Sequence, residues 1–164
     1  MDPTPFRQRR AALLERMHAA GGGVAVIPTA PERTRNRDTT WPFRADSYFH
    51  YLTGFDEPEA VLVLVAGATD QAVLFCREKD VEREIWDGFR HGPDGARDTY
   101  GFDMAHPVAA LEQTLPELMA DRNAVWYSLG HDEAWDARIT TALNAVRAQA
   151  RAGKRAPAEV RDVR

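Results

Sequence analysis

Two apolar runs separated by four residues constrain this chain more than any other feature. Residues 60–66 read AVLVLVA, residues 71–76 read QAVLFC, and Gly67, Ala68, Thr69 and Asp70 lie between them. Runs this short, rich in Val and Leu and bounded by turn residues, predict two strands joined as an antiparallel hairpin. A hairpin this apolar must be covered, so the rest of the chain has to supply further strands and helices.

Those elements can be read on either side of it. Residues 6–20 predict a helix, with Phe6, Leu13, Leu14 and Met17 near helical spacing and Gly21, Gly22 and Gly23 ending it. Residues 24–28 read as a short buried strand. Residues 29–46 are polar and without period, which predicts a loop. Bulky residues on both alternating faces of residues 48–53 predict a strand covered on both sides and ended by Gly54. Asp80 can cap a helix reaching Asp87, with Glu82 and Glu84 placed to suit the helix dipole. A loop is expected from Gly88 to Gly101. A helix carrying Leu111 can start at Pro107 and should be broken or restarted at Pro116, which lacks the donor a helix interior needs. Residues 124–127 read as a strand. His131 or Asp132 then caps the longest helix, with a stripe of Trp135, Ile139, Ala142 and Val146. The order predicts an α/β fold, a mixed β-sheet flanked by helices.

The chain has 164 residues, enough for one domain, assigned to residues 1–150. Residues 147–164 carry six basic side chains, two acids and no aromatic residue, so residues 151–164 are expected to be a linker. A formal net charge of -4 argues against nucleic acid as a partner. No run approaches the ~20 apolar residues that span a bilayer, and the first residues lack a signal peptide's apolar core. A single cysteine, Cys76, excludes an internal disulfide and fits a reducing, cytoplasmic setting.

Catalytic candidates are sparse. The five histidines form no zinc motif. Asp46 and His50, four residues apart, are the one pair worth weighing as metal ligands, against the simpler reading of His50 as a packed histidine. Ser47 and Ser128 are nucleophiles by type alone, and Cys76 in an apolar strand reads as inert filling. Arg33, Arg35, Arg37 and Arg44 lie in the polar loop. They read first as a solvated loop with internal salt bridges, and second as a rim for a carboxylate-bearing ligand.

Trp86 is the most informative single residue. In a helix over residues 80–87, Val81 and Ile85 share a face expected to pack inward. At roughly 100° per residue, Trp86 turns off that face and stands over Glu82 and Arg83. A tryptophan on a polar stripe calls for a cover, either a loop of the same chain or another subunit. Phe89, Arg90 and His91 would extend such a surface, which makes Trp86, Arg90 and His91 the candidate access or intersubunit residues.

Several segments together resemble the N-terminal domain of Xaa-Pro aminopeptidases (aminopeptidase P). They are RNRD at residues 35–38, FRADS at 43–47, YLTGF at 51–55 followed by Glu57 and Pro58, Asp80, EIWDG at 84–88, and Arg90, His91 and Gly92. The YLTGF-x-EP run is shared more loosely with prolidases and creatinase. His50 departs from the pattern by standing where an aromatic is frequent. The resemblance implies a creatinase-like N-terminal fold followed by a pita-bread catalytic domain. That domain would hold two manganese ions on two aspartates, one histidine and two glutamates, and would remove an N-terminal residue preceding proline. None of those ligand motifs occurs here, so no cofactor is expected in this chain and the chain by itself is expected to be inactive. The resemblance also implies oligomer contacts and control of active-site access by the N-terminal domain. It further implies that the position matching Trp86 reaches a neighbouring subunit's active site. The expected partners are the catalytic domain of the same polypeptide, further copies of the protein, and a peptide with proline at its second position. A prolidase-type parent and a free-standing binding module of the same fold are the alternatives.

Overall fold

The hairpin at residues 60–76 supplies two adjacent interior strands of a six-stranded sheet in the computed structural model, which describes all residues from Met1 to Arg164. The elements in chain order are α1 (Thr4–Ala19), β1 (Gly23–Pro28), β2 (Thr34–Asn36), β3 (Thr39–Thr40), α2 (Ser47–Thr53), β4 (Val61–Ala66), β5 (Gln71–Cys76), α3 (Val81–Asp87), α4 (Gly92–Tyr100), β6 (Met104–Pro107), α5 (Leu111–Met119), β7 (Ala124–Trp126), α6 (Glu133–Arg147) and β8 (Glu159–Arg161). Sheet order is β6-β5-β4-β1-β7-β8, and β2 pairs with β3 in a separate small hairpin. The β1–β4 and β4–β5 pairs are antiparallel, and the β5–β6, β1–β7 and β7–β8 pairs are parallel. Only β4 runs against the other five, so the sheet is mixed.

Side chains alternate across a strand, so each apolar run feeds two cores. Ala25, Ile27, Leu62, Leu64, Leu74 and Cys76 face one layer with Met17, Phe49, Leu52, Phe55, Ala96 and Tyr100. Val24, Val26, Val61, Val63, Val65, Val73 and Phe75 face the other with Leu111, Leu115, Met119, Ile139, Leu143 and Val146. Helices α1, α2 and α4 thus cover one face, and α5 and α6 the other. No helix is long and apolar enough to cross a membrane.

The structure departs from the sequence reading in identifiable places. Residues 47–53 are a helix, not a strand. Asp46 caps it by accepting from the amides of Tyr48 (2.9 Å) and Phe49 (3.1 Å), and Gly54 ends it at φ +68°. Its buried residues are Phe49, Leu52 and Thr53, a helical spacing that seven bulky residues can hide inside an apparent alternation. Residues 92–100, expected as loop, form α4. Pro93 sits in its first turn, Ala96 and Tyr100 bury one face, and Gly101 closes it at φ +68°. Helix α5 continues through Pro116 because Leu111, Leu115, Pro116 and Met119 all bury on the same side.

Short β6 was not anticipated. It lies at the sheet edge, where Pro107, opposite Cys76, needs no donor. The polar loop folds partly into the β2–β3 hairpin, all of it exposed. Residues 151–164, read as a linker, add β8 beside β7 with Val160 opposite Val125, and Arg164 donates to Asp46 at 3.0 Å.

Arg10 is the polar tie of the first helical layer. Its guanidinium is buried (3% exposed) and donates to the carbonyls of Leu52 (2.9 Å), Tyr100 (3.3 Å) and Gly101 (2.8 Å), over the face of Phe102. Those carbonyls belong to the C-terminal ends of α2 and α4, where helices leave acceptors without partners. Burial pulls the Arg10 pKa down to about 10, against the opposing field of Asp103, so the group remains charged at neutral pH. Arg10→Met strands these acceptors and is expected to lower the unfolding free energy by about 3 kcal/mol. The measurement is a fall in the urea midpoint at unchanged m-value. An unshifted midpoint would show that the tie is dispensable.

Candidate functional site: an exposed helical arm and its polar base

Helix α3 forms for local reasons. Asp80 accepts from the Arg83 amide at 3.0 Å, and Glu82 and Glu84 occupy the first turn. The turn ends at Gly88, whose amide donates to the Glu84 carbonyl at 3.1 Å. None of the seven α3 residues is buried. Val81 and Ile85 were expected to pack inward, yet they are 69% and 77% exposed, beside Trp86 at 87% and Phe89 at 66%. The helix is tied at its two ends and stands off the layers, so no neighbour receives its apolar face. The result is a contiguous exposed apolar surface on a short arm, the kind of feature that marks an interaction site.

The base of the arm is polar and partly closed from solvent, with Glu57 and Arg90 buried and Lys79 at the surface. Glu84 Oε1 accepts from Lys79 Nζ at 2.6 Å and from the Arg90 amide at 2.8 Å. Lys79 Nζ also donates to the Arg90 carbonyl at 2.9 Å and lies 4.1 Å from the Phe89 ring centre. These donors hold the Glu84 carboxyl below its ordinary pKa, the Lys79 hydrogen bond being the larger cause and the Arg90 amide the next. Behind them, buried Glu57 accepts through Oε1 from the His91 amide (2.8 Å), and the same oxygen is 2.7 Å from His91 Nδ1. The His91 ring lies among Phe55, Phe89 and Tyr100, with centroids 4.9 to 5.7 Å away. Burial, then the field of Glu57, raises the Tyr100 pKa.

Of the three residues singled out from sequence, only Trp86 is on the surface. Arg90 is buried (8% exposed), with Nη2 3.2 Å from Asp87 Oδ2, and His91 is half-buried against Glu57. Phe89 extends the surface, while Arg90 turns into the base and does not. Sequence reasoning missed Glu57, Lys79, Glu84 and Arg77 as a group. The usable signal was Glu84 in the first turn of a capped helix, four residues after Asp80. Arg77 Nη2 lies 3.6 Å from Glu57 Oε2, and Glu57 Oε2, Arg77 Nε and Arg90 Nε find no hydrogen-bond partner. A cleft of about 690 Å³ beside them is rimmed by both signs of charge, including Glu59, Glu78, Asp80, Glu82 and Arg83.

The remaining candidates are engaged elsewhere. Asp46 caps α2 and pairs with Arg164, while His50 Nε2 faces Asp56 at 3.6 Å, so neither is left to a shared metal. No group of three or more His, Cys, Asp or Glu side chains could hold a metal ion, so these residues do not fit a manganese pair. Ser128 Oγ donates to Asp162 at 2.7 Å. Cys76 is buried, and burial, then the Glu57 charge, pushes its thiol up to about 12, which leaves it unreactive near neutrality. The arginines at 33, 35, 37 and 44 make none of the internal salt bridges expected of them. Arg35 instead stacks 4.7 Å over Trp41.

Residues 6–126 match the family model described as aminopeptidase P, N-terminal domain. The chain belongs to this family. It is similar to Escherichia coli Xaa-Pro aminopeptidase, 39% identical over 161 residues, covering 97% of the chain and 36% of that protein. It is also similar to human Xaa-Pro aminopeptidase 3, 37% identical over 109 residues, 63% of the chain and 22% of the relative. Among solved structures, Pseudomonas aeruginosa aminopeptidase PepP superposes with a TM-score of 0.93 at 42% identity, over 99% of the chain and 37% of that structure. Zinc-substituted Escherichia coli aminopeptidase P in complex with product gives a TM-score of 0.91 at 37% identity, over the whole chain and 37% of that structure. The chain therefore spans little more than a third of these bacterial relatives, and its mixed sheet with two helical layers is the aminopeptidase P N-terminal fold.

An unpacked arm responds to substitution differently from a core helix. Ile85→Gln is expected to change the unfolding free energy of this aminopeptidase P domain by no more than about 0.5 kcal/mol. Loss of an inward-packed isoleucine would instead cost about 2–5 kcal/mol. Equilibrium denaturation distinguishes the two.

Proposed function

We propose that this chain is the non-catalytic N-terminal domain of a manganese-dependent Xaa-Pro aminopeptidase, and that its α3 arm supplies oligomer contacts and governs access to a neighbouring subunit's active site. The observation that carries this reading is the exposed arm. Trp86 is 87% exposed at the tip of a helix that buries nothing of its own. A large ring held in water gains free energy when a second surface covers it. The relatives named above are Xaa-Pro aminopeptidases, which supports peptides with proline at the second position as the substrate class.

The chemistry of the full protein would come from two manganese ions in the following domain, where close metals activate water and polarise a carbonyl. The residues of this chain would shape the approach to that site. Trp86 and Phe89 would border the substrate's path, and the polar base would hold them in place. The reading includes a cytoplasmic setting, in keeping with the lone buried thiol of Cys76.

With manganese added, the purified chain alone is expected to cleave no Xaa-Pro peptide, and joining it to the remainder of the full-length protein is expected to give cleavage. Turnover by the isolated chain would overturn the assignment. In the full-length protein, Trp86→Ala is expected to lower kcat/KM by roughly tenfold, equivalent to about 1.4 kcal/mol, or to reduce the oligomer mass measured by light scattering. Unaltered kinetics together with unaltered mass would remove the arm from the mechanism.

A further inference from the structure

Helix α3 poses a mechanical question. A seven-residue helix with no buried side chain has no packing to fix its angle, and helices this short are not stable alone in water. Yet its two ends meet at one point. Lys79 enters the arm and Arg90 leaves it, and Glu84 on the first turn touches both, through Lys79 Nζ and the Arg90 amide. Lys79 closes the ring by donating to the Arg90 carbonyl. One residue further on, Glu57 holds the His91 amide and ring. Apart from the Phe89 ring against His91, the contacts that set the arm against the domain are polar, and the carboxylate of Glu84 is common to two of the three hydrogen bonds among Lys79, Glu84 and Arg90.

We propose that Glu84 is a positioning residue, whose carboxylate locks Lys79 to Arg90 and thereby sets the pose in which the α3 arm presents Trp86. The Glu84 side chain is largely shielded (17% exposed), whereas its Lys79 partner is 45% exposed. The lock is thus a charge-assisted hydrogen bond from Lys79 at the edge of the domain, stronger than a neutral one, joined on the same oxygen by the Arg90 amide. Without it the arm keeps its Asp80 cap and the Lys79 bond to the Arg90 carbonyl but loses two of the three bonds that join its ends, so helix and return segment open locally more often while the sheet stays folded. The effect on catalysis rests on the access reading given above for Trp86. The effect on the arm itself does not.

The test uses the full-length protein with Glu84→Ala, Glu84→Gln, Lys79→Met, Lys79→Arg and Trp86→Ala. Hydrogen exchange is read on peptides covering residues 81–91 and, for comparison, β4. Glu84→Ala and Lys79→Met are expected to speed exchange in the arm by about tenfold or more with β4 unchanged. Glu84→Gln should fall in between, and Lys79→Arg, which keeps a cationic donor, should restore most of the protection. In kinetics, Glu84→Ala is expected to raise KM by roughly threefold or more at nearly constant kcat, and to add nothing to Trp86→Ala in the double variant. Unchanged arm exchange in both Glu84→Ala and Lys79→Met overturns the lock. A costly Trp86→Ala beside a kinetically silent Glu84→Ala overturns the positioning role. A silent Trp86→Ala with accelerated arm exchange overturns the access reading and leaves the lock standing. Should Glu84→Ala fail to fold, the Lys79 pair decides, since Lys79 lies at the surface.

Discussion

The buried guanidinium of Arg10 joins three helices at one point and sets up the part of the molecule that matters for function. It gathers the trailing carbonyls of α2 and α4, so neither helix can move relative to α1 without exposing an acceptor. Tyr100, one of the residues it holds, lies edge-on to Phe55 at 5.1 Å and near the His91 ring. His91 in turn is fixed by Glu57, at the foot of α3. A line of contacts therefore runs from the middle of α1 to the root of the arm. The sheet supplies the platform, but this polar and aromatic line locates the arm on it.

Electrostatics divide the molecule between these two roles. The sheet is apolar, with every β4 side chain buried and Cys76 pushed far from ionisation. The arm's root is instead a concentration of charge around Glu57, Arg77, Lys79, Glu84 and Arg90. Burying charge costs free energy unless partners are close, and here the partners belong to segments far apart in the chain, such as Glu57 and His91. The cost thereby becomes geometric definition. The arm's apolar surface stays in water while its attachment is fixed by directional bonds.

Much of the fold was legible in the sequence because the signals were local. The runs at residues 60–66 and 71–76 have few alternatives, and Asp80 and Asp132 are helix caps with apolar or acidic residues spaced behind them. The failures share a cause, which is that tertiary context decided between two local options. Phe49, Leu52 and Thr53 fit a helix as well as Tyr48, His50 and Leu52 fit a strand, and burial of Phe49 and Leu52 in the core decided for the helix. Gly92, Pro93 and Gly95 look like a loop until Ala96 and Tyr100 find the core. At the candidate site, Trp86 stood out because an unmatched ring is visible in a helical wheel. The inward packing assumed for Ile85 was wrong, because a wheel cannot say whether a neighbour exists. Glu57 was legible only as part of a motif, since its partners lie 20 and 34 residues away at Arg77 and His91.

The parallel pairing of β1 with β7 has a consequence for biogenesis. Val24 lies opposite Val125, so about a hundred further residues must leave the ribosome after β1 before its second edge is satisfied. The β1–β4–β5 ribbon can assemble once residue 76 has emerged, since those pairings are antiparallel and closer in sequence. Until β7 arrives, that ribbon presents an apolar strand edge to its surroundings, the state in which nascent sheets associate wrongly or recruit holdase chaperones. Maturation of this domain is thus timed by its C-terminal third, whose arrival closes the edge that its N-terminal third leaves open.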